Sequence, residues 1–220
     1  MVNITDKVST NQTNIATNTS SINTNIPASL GTAGQVLAVN SGATATEWVD
    51  AAGGSTTKIS TTTVSTGVAN VDITLPTSGY TYLLLHVQGF QPASSGYDVR
   101  FRLSDDGGTS FETIHWQRGQ LSGTTWSGNQ SYGSSMVLNQ SGISNSANAE
   151  FRGFIRFNIP TVNSTTSFDC RMDYNLSNNN NAFYASTGNL VTSGTTANLC
   201  RFEMSSGNIN NGVFTLYGIA

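Results

Sequence analysis

The sequence has few charged residues. Lys, Arg, Asp and Glu make up 10% of its 220 residues, against about 25% in an average soluble protein. The formal net charge of −3 gives no basic surface for general nucleic-acid binding. Solubility therefore depends on Ser, Thr, Asn and Gly, which are poor helix formers and favour short strands joined by polar turns.

Cysteine, histidine and long apolar runs are also scarce. Two cysteines are too few for a disulfide scaffold. The two histidines, His86 and His115, lack the paired spacing of a metal site. No run approaches the roughly 18 apolar residues of a membrane span. These absences predict no metal, no cofactor and no membrane insertion.

Catalytic motifs are missing as well. No pair of carboxylates has a useful spacing, no Ser/His/Asp set stands in its usual contexts, and no Gly-rich loop is suited to phosphate. The sequence therefore predicts a protein that is not an enzyme.

Three segments differ in pattern. Residues 1–26 contain a seven-residue period, residues 27–56 are rich in Gly, Ala and Thr and look irregular, and residues 57–220 resemble a series of short strands. We predict a stalk, a neck in which the chains intertwine, and a C-terminal domain.

The third segment alternates strictly between apolar and polar positions. In residues 97–104, Val99, Phe101 and Leu103 fall on one face, and Arg100 and Arg102 on the other. This period of two is typical of half-buried antiparallel strands. The more continuous apolar run at residues 80–90 predicts a central strand. Similar alternation is found in residues 150–159, 167–174, 198–204 and 213–219.

These patterns predict about nine to eleven short strands, each followed by a polar turn. The expected fold class is mainly β, with a short N-terminal trimeric coiled coil, a Gly/Ala-rich neck and a C-terminal antiparallel β-sandwich of jelly-roll-like architecture.

The first segment repeats both an apolar and an amide residue every seven positions. One interpretation is a disordered polar arm. The other is a parallel coiled coil, in which an amide at a core position specifies register and oligomeric state at a cost in stability. Three amides can satisfy one another around a three-fold axis. The predicted trimerisation residues are Ile4, Val8, Asn11, Ile15, Asn18, Ile22 and Asn25.

Several stretches resemble known fibre proteins. "IATNTSS" at residues 15–21 is similar to the Ile-x-x-Asn-Thr repeat of trimeric coiled coils in bacterial adhesin stalks and phage fibres. Residues 31–51 resemble a linker of tailed-phage fibres, and "RLSDDGGTSFE" (102–112) and "FTLYGIA" (214–220) resemble distal domains of small tail fibres or appendages. The resemblance implies a homotrimeric virion fibre that attaches to other virion proteins through its N-terminus.

Two smaller features leave alternatives open. The stretch Ser104–Phe111, "SDDGGTSF", looks like the Asp-box turn of sialidases; we expect a structural hairpin turn rather than a glycosidase or Ca²⁺ site. Cys170 and Cys200 both fall on apolar sides of strands, so they are either a disulfide pair or two buried free thiols.

Most arginines fall on the outward sides of the predicted strands. Two interpretations carry equal weight: a solvated sheet face with cross-strand ion pairs, or an interface between protomers in which Arg–carboxylate forks provide fixed geometry. The arginines concerned are Arg100, Arg102, Arg152, Arg156, Arg171 and Arg201.

Aromatic residues flanked by amides occur in two stretches that we predict to be loops, residues 119–135 and 177–189. Such loops suit sugar recognition, because ring faces stack on C–H surfaces while amides bond hydroxyls; the alternative is that the aromatics pack in the core or between protomers. The candidate receptor-binding residues are Trp126, Asn129, Tyr132, Asn181, Phe183 and Tyr184.

These observations predict a phage virion protein, a trimeric tail fibre or short appendage that binds a host-surface glycan, such as a polysaccharide, or a surface protein. It would assemble in the host cytoplasm and be exposed on the particle. One alternative is a head fibre, decoration or neck protein without a receptor role. A second is a depolymerase fibre that cleaves the polysaccharide.

Overall fold

The computed structural model describes residues 4–25, 35–39, 42, 46–50, 56–122, 124–139, 142–146, 150–158, 165–176, 181–192 and 194–220. The chain divides into two compact units, Met1–Gly54 and Ser55–Ala220.

The first unit begins with a helix, α1, spanning Ile4–Asn25. Its Thr13 and Thr17 hydroxyls donate hydrogen bonds to the carbonyls of Ser9 and Thr13, four residues earlier. These bonds satisfy the two hydroxyls within the helix, although Thr stays an unfavourable helix residue. Among the described residues, no helix is long and apolar enough to span a membrane, α1 included.

The apolar stripe of α1 is solvent-exposed in the single chain. Val8 is 50% exposed and Ile15 is 66% exposed, and the amides of Asn11 and Asn18 are exposed too. The side chains of Ile4, Ile22 and Asn25, which we also predicted to mediate trimerisation, lie outside the described side chains, although their backbone is helical.

The neck contains regular structure, so the expectation that residues 27–56 are irregular is wrong in part. Strands β1 (Gln35–Val39) and β2 (Thr46–Asp50) form an antiparallel hairpin, with Leu37 opposite Trp48. Apolar residues in both strands give the pair cross-strand contacts that short strands need.

The described residues of the second unit form twelve strands: β3 (Thr56–Val64), β4 (Asn70–Thr74), β5 (Tyr82–Pro92), β6 (Val99–Ser104), β7 (Ile114–Ser122), β8 (Thr125–Gly133), β9 (Met136–Val137), β10 (Phe151–Asn158), β11 (Ser167–Asn175), β12 (Asn181–Leu190), β13 (Leu199–Met204) and β14 (Ile209–Ile219).

These strands form two antiparallel sheets. The eight-stranded sheet has the order β3-β14-β5-β10-β11-β12-β7-β8, and the four-stranded sheet has the order β4-β13-β6-β9. The expectation of a mainly β, antiparallel architecture is confirmed, and the arrangement is that of a β-sandwich. The apolar run predicted to be a central strand is β5, an interior strand of the larger sheet.

Aromatic rings from both sheets fill the core. Phe101 on β6 lies with its ring centroid 6.0 Å from Phe157, 5.4 Å from Phe168 and 5.5 Å from Phe202. Phe202 in turn lies 5.1 Å from Phe214. Because strands alternate their faces, the apolar face of each sheet turns inward and the charged positions turn outward.

Ion pairs within the chain occupy part of these outward faces. Arg156 pairs with Asp169, Arg102 with Glu203, Arg201 with Asp72, and Arg152 with Glu150. The first three pairs connect neighbouring strands, as expected of a solvated sheet face. The alternative, an interface between protomers, stays open for outward residues that these pairs do not involve.

Candidate functional site

The outer face of the eight-stranded sheet carries a row of small residues. Ala185 on β12 lies opposite Gly119 on β7, which lies opposite Gly128 on β8. Three neighbouring positions with almost no side chain leave a depression across three strands. Since adjacent strands are about 4.8 Å apart, the depression is about 10 Å long.

An apolar wall borders one side of this row. Phe183 on β12 lies opposite Leu121 on β7, and Leu121 lies opposite Trp126 on β8. Leu121 is 39% exposed and Trp126 is 59% exposed. Large apolar side chains are rarely left in water side by side unless the surface has a binding role.

Gly119 determines where the indole of Trp126 lies. A Cβ atom built at Gly119 would lie 2.1 Å from Cζ2 of Trp126 and 2.7 Å from Cη2. The indole therefore covers the backbone of Gly119 and reaches from the apolar wall onto the floor of the depression. Any side chain at residue 119 would displace the ring.

A polar wall borders the other side. Asp169 lies opposite Thr187, Thr187 opposite Gln117, and Gln117 opposite Gln130. The Gln117 amide donates to Oε1 of Gln130 at 3.4 Å, and the carboxylate of Asp169 accepts from Nε of Arg156 at 2.7 Å. These groups offer both donors and acceptors along one edge.

Together these residues form a shallow groove of about 390 Å³, here called the outer groove. Its volume falls within the range of small-ligand sites. Arg171 stands on β11 opposite Ala185 and lies at the end of the groove away from β8. The lining residues are Gln117, Arg118, Gly119, Trp126, Asp169, Cys170, Arg171, Ala185, Ser186 and Thr187.

The outer groove has the chemistry of a sugar-binding surface. An exposed indole offers a flat apolar face for the C–H side of a pyranose ring. Amide, hydroxyl and carboxylate groups on the opposite wall can bond sugar hydroxyls. An open groove on strands is a rigid platform rather than a closed pocket, which suits a long polymer.

The predicted receptor-binding residues are on strands, so their assignment to loops is wrong. Trp126 lines the groove, and Phe183 stands beside it, opposite Leu121 in the apolar wall. Tyr132 is 78% exposed on the same face of β8, opposite His115.

The other three candidates lie elsewhere. Tyr184 is completely buried, and its hydroxyl donates to the carbonyl of Val137 at 2.8 Å. It is a core residue, and the expectation that it is exposed is wrong. By strand alternation Asn129 points to the opposite face of β8 from Trp126. Asn181 is exposed and accepts a hydrogen bond from the amide of Asn175 at 2.7 Å.

Sequence analysis missed several groove residues. Gly119, Gln117, Ala185 and Thr187 have no chemical signature of their own, and their role depends on which residues lie opposite them. The one available signal was period-two spacing, which puts Gln117, Gly119 and Leu121 on one face of a strand.

The Asp-box turn is held by hydrogen bonds to the Asp106 carboxylate from its own residues and by Asn198, whose amide accepts from Gly107 N–H and donates to the Asp105 carbonyl. The backbone N–H and the hydroxyl of Ser110 donate to the Asp106 carboxylate, as does the Ser104 hydroxyl. The hydrogen bond from the Ser110 backbone is the main cause that lowers the pKa of Asp106 below its ordinary value. Gly107 and Gly108 have φ of 74° and 95°, which only glycine adopts freely. The stretch is a structural turn.

A second charged cluster covers the outer face of the four-stranded sheet. Nε and Nη2 of Arg201 each donate to the Asp72 carboxylate at 2.6 Å, and this bond raises the pKa of Arg201. Arg102 lies 2.9 Å from Glu203. The Phe111 ring lies under both guanidinium groups, at 4.7 Å from Arg201 and 5.2 Å from Arg102. Both guanidinium groups therefore have an internal carboxylate partner and lie against the same ring, although Nε of Arg102 is buried without a hydrogen bond.

Both cysteines are free and buried, which decides between the two alternatives in favour of free thiols. Cys170 lies in the eight-stranded sheet and Cys200 in the four-stranded sheet. Burial raises the pKa of Cys170 to about 12 and raises that of Cys200 as well. A buried thiol of this kind behaves as a small apolar group.

The two histidines lie on the outer side of the larger sheet. His86 is half-buried between Phe154 and Thr215, and His115 is exposed. Within the part of the chain that the structure describes, no three His, Cys, Asp or Glu side chains are placed to hold a metal ion.

No family model matches the chain, and comparisons with curated proteins and with solved structures find no significant match. The function must therefore be argued from the outer groove and the helix.

Proposed function

We propose that the chain is a homotrimeric phage virion appendage, a tail fibre or similar structure, that binds a host-surface polysaccharide without cleaving it. The observation that carries the proposal is the exposed indole of Trp126, positioned over Gly119 beside a polar wall. In this proposal the second unit is a jelly-roll-like adhesion domain that meets the host surface.

The helix supports the trimeric part of the proposal. Val8 and Ile15 are exposed in the single chain, and exposed apolar stripes on short helices are normally covered by association. Asn11 and Asn18 lie on the same stripe and would meet their copies around a three-fold axis. The N-terminal unit would join the chains and attach to other virion proteins.

Trivalence makes weak binding at a shallow groove effective. Three linked grooves raise the effective concentration of each for the same polymer, so that overall avidity exceeds the affinity of one groove. This arrangement needs no deep pocket.

Binding is tested with Trp126→Ala and Gly119→Ala. Trp126→Ala removes the stacking surface. Gly119→Ala keeps the indole but moves it, because the far end of an exposed side chain can shift at little cost. Both variants should retain the fold and lose most binding to a panel of bacterial surface polysaccharides in affinity electrophoresis. Tyr97→Ala, at another exposed aromatic, is the matched control and should bind like the wild type.

Unchanged binding of both groove variants would exclude the outer groove as the binding site. If the wild type binds no polysaccharide of the panel, the architectural alternative is favoured. The same incubations are assayed for new reducing ends, and their release would support the depolymerase alternative instead.

Trimerisation is tested by the mass of the protein in solution. In analytical ultracentrifugation the wild type should have a mass of about three times the 23.2 kDa of one chain. Replacing Asn11 and Asn18 together by Ala should change the oligomeric state, since buried amides specify it. Asn14→Ala is the matched control, because it makes the same change on the same helix outside the stripe. A monomeric wild type would contradict the proposal.

A further inference from the structure

The guanidinium group of Arg171 has a position unlike those of the paired arginines. Arg171 is exposed on the outer face of β11, between Phe154 on β10 and Ala185 on β12. Among the described residues it has no ion pair or hydrogen bond from its side chain, whereas Arg156, Arg152 and Arg201 each contact a carboxylate.

The nearest carboxylate on the groove side is already occupied. Asp169 lies two residues from Arg171 on the same strand and is bound by both Nε and Nη2 of Arg156, at 2.7 Å from its Oδ1. The positive charge of Arg156 offsets the negative charge of Asp169. Arg171 therefore faces the groove with its donors available, and a guanidinium presents a planar fork that matches a carboxylate.

One negative charge nearby opposes the binding of an anion by Arg171. Asp173 lies two residues from Arg171 on the other side, opposite Phe183 on β12 and Arg152 on β10. It is exposed, so water screens its repulsion of an incoming anion. The carboxylate of Asp173 weakens anion binding without abolishing it. A variant that removes its charge should therefore bind an anion more tightly, whereas a variant that removes the charge of Arg171 should bind it less tightly.

The spacing between Arg171 and the indole of Trp126 allows a single ligand to contact both. Arg171, Ala185 and Gly119 lie in one cross-strand row, so Arg171 is two strand spacings, about 9.6 Å, from the backbone that Trp126 covers. The side chain between them is only a methyl group. A sugar ring on the indole and an acidic group beside Arg171 can therefore belong to one continuous chain.

We infer that the outer groove binds an acidic polysaccharide, with a sugar ring stacked on Trp126 and a carboxylate of the polymer bound by Arg171. The inference rests on the proposed function of the groove and adds the chemical class of its ligand. The recognition is non-covalent, and the polymer leaves unchanged.

The test uses paired polymers that differ only in charge. Alginate, polygalacturonate, hyaluronan and acidic bacterial capsular polysaccharides are each compared with their carboxyl-reduced forms, using the full-length protein at low salt. The wild type should bind at least one acidic polymer about tenfold or more tightly than its reduced form, and added salt should shrink that difference.

Three variants assign the preference to the groove. Arg171→Ala should remove the difference between acidic and reduced forms, and Arg171→Lys should restore part of it because the charge remains without the fork. Asp173→Asn should increase affinity for the acidic form. Both positions are exposed, so thermal unfolding should be unchanged in all three variants.

Three outcomes distinguish a failure of the acidic specificity from a failure of the proposed function. Equal binding of acidic and reduced forms, with both lost in Trp126→Ala, would overturn the acidic specificity and leave sugar binding intact. An acidic preference that survives Arg171→Ala would also overturn it. Failure to bind any polymer in either form would count against the proposed function itself.

Discussion

The two outer faces of the sandwich use the same residue types in opposite ways. On the four-stranded face, Arg201 and Arg102 lie directly opposite each other, and Asp72, Glu203 and the Phe111 ring neutralise or cover them. Arg201 and Arg102 therefore have carboxylate partners within the chain. On the eight-stranded face, Gly and Ala leave a groove between an exposed indole and an arginine without an internal carboxylate partner.

The difference separates stability from recognition. Like charges on adjacent strands destabilise a sheet unless opposite charges lie between them, so the four-stranded face needs its carboxylates for folding. Among the described residues, the side chain of Arg171 has no ion pair or hydrogen bond to lose. We therefore expect substitutions on the four-stranded face to change stability and substitutions in the outer groove to change binding.

The largest effect should come from the core that both faces share. Phe101→Ala removes a ring that contacts Phe157, Phe168 and Phe202, and large-to-small changes of this kind cost about 3–5 kcal/mol of unfolding free energy. Urea unfolding at a fixed protein concentration measures it. Val191→Ala, at a residue 54% exposed, should change stability by less than about 0.5 kcal/mol. Equal effects would mean that the sheets do not pack through Phe101.

A matched pair of arginine variants tests the comparison directly. Arg201→Ala loses the fork with Asp72 and the contact with Phe111, and should cost about 1 kcal/mol, since the pair is only partly shielded from water. Arg171→Ala should cost less than about 0.5 kcal/mol. Thermal and urea unfolding measure both. If Arg171→Ala destabilised the protein as much as Arg201→Ala, the distinction between the faces would fail.

The smallest effect should come from the turn beside the four-stranded face. Asp106→Asn keeps one acceptor oxygen but loses the charge that the Ser110 and Ser104 donors stabilise. Because the folded-state pKa of Asp106 is lowered, its contribution is present above the unfolded-state pKa of about 3.9 and is lost as pH falls toward the folded-state value.

The variant should therefore have a melting temperature about one degree below that of the wild type at pH 7, because water screens this exposed carboxylate, and the difference in melting temperature should narrow as the pH falls below about 4. Calorimetry between pH 7 and pH 2 measures it. A gap that stays constant over this range would show that the charge of Asp106 plays no part.

Strands with strong apolar alternation could be predicted from the sequence. Phe168, Cys170, Met172 and Tyr174 were expected on one face of a strand, and all four are buried in β11. Strands β3, β7, β8 and β12 were not identified. β8, "TWSGNQSYG", is exposed along nearly its whole length and has no apolar face to give a periodic signal. Its hydrogen bonds to β7 make it a strand, and a single sequence does not reveal them.

The candidate site shows the same limit. The sequence drew attention to Trp126, because an aromatic among amides is conspicuous. It gave Tyr184 the same weight, although one residue of offset from Phe183 turns that ring into the core. Composition does not indicate which of two neighbouring residues faces water when both are aromatic.

By itself, the sequence determined that this protein is built mainly of antiparallel strands whose charges face outward, because alternation along a strand is a local property. The tertiary structure alone decided that Gly119 lies beneath Trp126, that Ala185 separates the indole from Arg171, and that Tyr184 is buried. Those relations depend on the register between strands that lie up to about 70 residues apart in the chain. The packing of the whole core sets that register.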